Sequence, residues 1–253
     1  MGAGGVMGKQ GGLGDRLLVA GYDLSGDIGS LGRIGGGPAP LEVTGIDKSA
    51  MERIGGLRDG AIEFSAWFNP ATGRAHPRLS PLPVADRALS YLRGTALGGH
   101  AACLIGKQIN YDGSRGDDGS FTLEVQALAN GFGLEWGVQH TAGVRADTAA
   151  TNGASVDGGA ATEFGLQAYL QVTAFTGTSF TVKLQQSADD GDADAWADVP
   201  GGAFTVATGV TSQRIATASD QAVEQYLRVV TTGTFSAASF SVVVVRNETE
   251  VTF

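Results

Sequence analysis

Short runs of alternating apolar and polar residues, punctuated by glycine-rich turns, commit this chain to β-structure. "AIEFSAWFN", residues 61–69, places Ile62, Phe64, Ala66 and Phe68 on one side. Ala61, Glu63, Ser65, Trp67 and Asn69 fall on the other. "SFTLEVQALAN", residues 120–130, sets Phe121, Leu123, Val125 and Ala127 against Thr122, Glu124 and Gln126. Side chains of a strand alternate between its faces, so each run describes a ribbon with one side for a core and one for water. "RLLVAGYDL" (16–24), "LEVTGI" (41–46) and "ACLIGKQIN" (102–110) read as further strands. The last is apolar on both faces at its start, as a central strand is.

Helical spacing occurs in two places. In "VADRALSYLR", residues 84–93, Val84, Ala88, Tyr91 and Leu92 recur at i, i+4, i+7 and i+8. Ser80 and Pro81 stand where a cap and first turn belong, and Gly94 where a helix stops. The pattern predicts one helix there. A shorter helix is expected from Asp47 through Met51 and Ile54, ended by Gly55 and Gly56.

Two stretches lack periodicity. Ser25–Pro40 ends in "RIGGGPAP", three consecutive glycines followed by Pro-Ala-Pro. Glycine loses the most backbone freedom on ordering, so the segment reads as a long loop that stays loose until something binds it. It is not a phosphate cradle: the spacing is wrong and a proline stands where the following helix should start. The second stretch, "ADTAATNGASVDGGAAT" (146–162), reads as a linker or extended surface segment. Beyond it lie six strand-like runs with turn signals, at the spacing of an all-β sandwich, with Trp196 as a core anchor. The expected organisation is a flexible arm at 1–15, a first domain at 16–145, a linker at 146–163 and a β-sandwich at 164–253.

Composition narrows the function. Of 253 residues, 42% are hydrophobic and only 17% charged, which suits a folded, turn-rich protein. The net charge of −9 is shared between the halves and disfavours gripping nucleic acid through its phosphates. No secretory signal and no run long enough to cross a bilayer is read. The single cysteine, Cys103, reads as a small buried residue. His76, His100 and His140 fall in loops or at strand ends without metal spacing, and exposure is the default for each. Asp190, Asp192 and Asp194 begin a calcium-loop pattern, but Ala195 and Gly201 occupy the positions that need Gly and Glu. Neither a P-loop nor a nucleophile elbow is found. No catalytic residue, cofactor or metal site is expected, and the chain reads as a structural or binding protein.

The wording of the chain is itself informative. "DLSGDIGSLGRIGGGPAPLEVTGIDKSAMERIGGLRDGAIEFSAWFN" (23–69) resembles the major tail proteins of long, non-contractile-tailed bacteriophages of actinobacteria. The resemblance continues through "CLIGKQINYDGSRGDDGSFTLEVQALANGFGLEWG" and "FTVKLQQSADDGDADAWADVPGGAFT", and so spans nearly the whole chain. It implies a mainly β fold: a tail-tube β-sandwich or barrel with one flanking α-helix and long loops, plus a C-terminal immunoglobulin-like or similar sandwich outside the tube. It further implies hexameric rings stacked on a tape-measure protein, ended by tail terminator and distal tail proteins, and assembled in the host cytoplasm into the virion. DNA would pass through the lumen without specific binding, and no membrane insertion is implied.

On that reading Glu63, Ser65, Thr122, Glu124 and Gln126 are candidates to line the lumen, where acidic walls repel phosphates. An ordinary solvent face is the alternative. Arg33, Gly35, Gly36, Gly37 and Pro38 are candidates for contact with an adjacent subunit or the next ring. A capsid decoration or other minor virion protein, or a carbohydrate-binding adhesin with Trp196 as a sugar platform, are the rival readings.

Overall fold

The computed structural model describes residues 11–250. Most of the arm expected at 1–15 therefore lies outside the described residues. Within them the chain is antiparallel β-structure with a single short α-helix. The strands are β1 (Arg16–Val19), β2 (Tyr22–Asp23), β3 (Ile28–Glu42), β4 (Arg53–Trp67), β5 (Arg87–Leu92), β6 (His100–Gln108), β7 (Asp112–Arg115) and β8 (Phe121–Ala129). They continue as β9 (Glu135–Gln139), β10 (Arg145–Asp147), β11 (Asn152–Asp157), β12 (Leu166–Ser187), β13 (Ala197–Ala203), β14 (Thr211–Ala216) and β15 (Tyr226–Arg246). The helix, α1, is Ala75–Leu79.

The N-terminal core is built by the alternation. Ile62, Phe64 and Ala66 of β4 and Val125 and Ala127 of β8 are buried together with Leu17, Leu89, Leu104 and Leu79 of α1. The single helix thus packs on this core, but at 75–79 and not at 84–93. Residues 87–92 form β5, paired with β1 on one side and β6 on the other. The i, i+4, i+7 spacing misleads because a strand buried on both faces carries apolar residues in both registers. Leu89 and Tyr91 face the N-terminal core, and Leu92 faces a second cluster. The expected helix at 47–54 is also absent. Residues 43–52 turn the β3–β4 hairpin, and Met51 and Ile54 are exposed with no core to support a helix.

The second half folds back on itself. The six expected runs resolve into fewer, longer strands, because β12 and β15 pair along almost their whole lengths with register shifts around Gly177. The first part of β12 also pairs with β14, and its last part with β13. The paired strands therefore bend through a corner and supply both layers of one core. That core contains Leu166, Ala168, Leu170, Phe180, Val182, Val229, Phe240 and Val242. Trp196 is not part of it. The indole is half-buried in the β12–β13 loop, with the Arg228 guanidinium 4.3 Å from its ring centre.

The segment expected as a linker, 146–163, contributes β11 and most of β10, both laid antiparallel along β15. Its Ala, Thr, Gly and Ser residues hide the pairing because they supply hydrogen bonds more than side-chain burial. β9 pairs with β6 and with β15, so the two halves share one continuous sheet. Leu18, Leu92, Ala101, Cys103, Tyr169 and Val243 are buried together between them. A buried ion pair crosses the same junction. Arg214 donates to both Glu135 oxygens, at 2.8 and 3.0 Å, and the Tyr169 hydroxyl also donates to Glu135. Gln171 of β12 accepts from the Gly21 amide at 2.7 Å and donates to the Ala88 carbonyl at 3.0 Å.

Candidate assembly surfaces

The five residues expected on a common polar face are brought together. β4 and β8 pair so that Glu63 lies opposite Gln126, Ser65 opposite Glu124, and Trp67 opposite Thr122. Directly opposed residues share a face, so Glu63, Ser65, Thr122, Glu124 and Gln126 form one patch on the side away from Phe64 and Val125. Gln126 Nε2 donates to Glu63 Oε1 at 2.6 Å, and the Ser30 and Ser65 hydroxyls lie 2.9 Å apart. β7 extends the patch, with Asp112 opposite Glu124 and Ser114 opposite Thr122. The ionisable groups at these paired positions, Glu63, Glu124 and Asp112, are all acidic.

The second set of expected residues, Arg33, Gly35, Gly36, Gly37 and Pro38, lies in β3 and not in a loop. β3 and β4 form a hairpin of two 15-residue strands. Near its base Leu31 and Ile34 pair with Phe64 and Ile62 over the core. From Gly35 outward the hairpin leaves the body as an arm. Its outer part exposes Leu41, Val43, Ile46, Met51, Ile54 and Leu57. Gly36 pairs with Gly60, and a Cβ on Gly36 would stand 2.2 Å from the Asp59 carbonyl oxygen. A Cβ on Gly60 would meet Leu134 at 2.6 Å. These glycines serve close approach of backbones where the arm departs. Pro38 and Pro40 have no N–H, and among the described residues β3 pairs with β4 alone, so its other edge is blunted against adding a further strand.

Alternation marks the patch in the sequence. The arm carries no such mark, because an extended ribbon with no core beneath it has no alternation to read. The surroundings of the histidines and of the acidic loop are equally unmarked. His76 lies in α1, with its ring centre 4.5 Å from that of Phe68 and its Nδ1 3.0 Å from the Tyr111 hydroxyl. His100 is exposed at the start of β6. His140 is buried, contrary to the exposed default, and burial pulls its pKa down to about 4. In the 189–194 loop the Asp189 carboxylate accepts the amides of Asp192, Ala193 and Asp194. No group of three or more His, Cys, Asp or Glu side chains suited to a metal ion occurs among the described residues. No helix among them is long and apolar enough to cross a membrane.

No known protein family matches the chain, and no curated protein matches it. Among solved structures, similarity is found to a protein of the virion of a native gene transfer agent particle, with a TM-score of 0.41 and 16% identity. That match covers 51% of this chain and 98% of the other. The SPP1 Dit protein, described as a paradigm of the hub adsorption apparatus of phages infecting Gram-positive bacteria, gives a TM-score of 0.33 and 10% identity. It covers 92% of this chain and 99% of the other. A protein of the phage p2 baseplate gives 0.37 and 7%, with the same coverage.

Proposed function

We propose that this chain is a structural, non-catalytic virion protein: the tail tube subunit of a long-tailed phage, closing into hexameric rings that stack into a conduit for DNA. The carrying observation is the β4–β8 register, which gathers Glu63, Ser65, Thr122, Glu124 and Gln126 on one polar, acidic face backed by the core. A lumen needs such a wall, because fixed negative charge keeps phosphates from adhering. The arm supplies the second requirement, an apolar surface that one subunit offers to another. Closed rings form by heterologous contacts of this kind. The stretches that resemble phage major tail proteins include β3, β4 and β8, and so take in both features.

Electron microscopy of the purified full chain tests the proposal. Hollow tubes or six-fold rings with a regular axial repeat are expected. Monodisperse monomers or trimers at concentrations where tubes should form would overturn it.

A further inference from the structure

A cleft of about 690 Å³ lies where the two halves meet, lined among others by His100, Trp136, His140, Glu163, Phe164 and Arg246. Its size falls within the roughly 300–1,000 Å³ of small-ligand sites. His140 is 4% exposed, and its Nδ1 lies 3.1 Å from the Val138 carbonyl oxygen. A carbonyl only accepts, so Nδ1 carries the proton in that bond and Nε2 is left as an acceptor. Nε2 makes no hydrogen bond with the described residues and is not sealed off, since the side-chain atoms buried without a partner among them are Arg78 Nε and Gln139 Oε1.

The surroundings select the ligand's chemistry. Burial first, and Arg246 nearby, oppose a positive charge on His140, so its imidazole stays neutral and offers an acceptor. Arg246 is itself occupied by the Gln225, Ala160 and Val223 carbonyls, and Asp157, Glu163 and Glu248 also line the cleft, so an anion is disfavoured. A lining rich in acceptors suits a donor of hydrogen bonds. Trp136 is half exposed and, with Phe164, offers apolar ring surface in the same cleft. We propose that the cleft binds a neutral saccharide, with one hydroxyl donating to His140 Nε2, others to the carboxylates, and a sugar face against Trp136. Such binding does not depend on the tail-tube reading.

The test uses the full chain, because His100, Trp136 and His140 come from one half and Phe164 and Arg246 from the other. Chitotriose, cellotriose, maltotriose and a galactose disaccharide are titrated while the Trp136 indole signal is followed by NMR. At least one is expected to shift that signal saturably, and Trp136→Ala to weaken binding by about tenfold or more. His140→Leu is expected to do the same while leaving the fold intact. Should that variant fail to fold, the surface substitution Trp136→Ala decides alone. No saturable shift with any saccharide at about 10 mM, or binding unchanged in Trp136→Ala, would overturn the proposal. Binding of inorganic phosphate in place of saccharide would also overturn it.

Discussion

The base and the outer part of the β3–β4 hairpin use the same two strands and the same ladder, yet differ in every other respect. At the base, Ile62, Phe64 and Ala66 are buried and the opposite face is polar. Beyond Gly35 and Gly60 both faces are largely exposed and the sequence is glycine, proline, charge and scattered apolar residues. The base is specified by what it packs against. The arm is specified only by its ladder and by the absence of side chains at Gly36 and Gly60. Stability should therefore reside in the base, and any assembly role in the arm.

The largest expected effect is at the base. Phe64→Ala should cost about 3–5 kcal/mol in urea-induced unfolding, because it empties a fully packed site. An effect under about 1 kcal/mol would erase the contrast. At the junction behind the base, Glu135→Gln should cost about 3–5 kcal/mol by removing the Glu135 charge from a buried ion pair with Arg214. Urea unfolding of that variant checks it.

Acid should act on the body before the arm. The His140 imidazole titrates near 6.5 in the unfolded chain and at about 4 when folded. Between those values the unfolded state binds more protons, so stability falls as pH drops through this window. The loss approaches about 3 kcal/mol near pH 4, and His140→Gln should flatten that slope in a pH series of thermal melts.

The arm predicts smaller changes in stability. Gly36→Ala should loosen the arm, seen as faster amide exchange over 35–42 and 53–60, whereas Gly35→Ala, with open space around its Cβ position, should not. Leu57→Ser, at a residue 88% exposed, should change stability by less than about 0.5 kcal/mol yet impair assembly.

The same contrast explains what was legible in the sequence. Alternation located β4 and β8 and grouped their polar residues, because one face of each is buried. It failed at β5, where burial on both faces removes the polar half of the pattern and a helical spacing emerges by coincidence. It failed again at β3 and at β10–β11, where little is buried and glycine, alanine and threonine read as loop. The cleft and the Glu135–Arg214 pair join residues far apart in sequence, and no local pattern marks either.

A cryo-electron microscopy map of the assembled particle at side-chain resolution bears most directly on the tail-tube proposal. Six-fold rings are expected, with Glu63 and Glu124 facing the lumen and the β3–β4 arm seated on another copy. A particle in which those carboxylates face outward, or in which the arm touches no other copy, would contradict it.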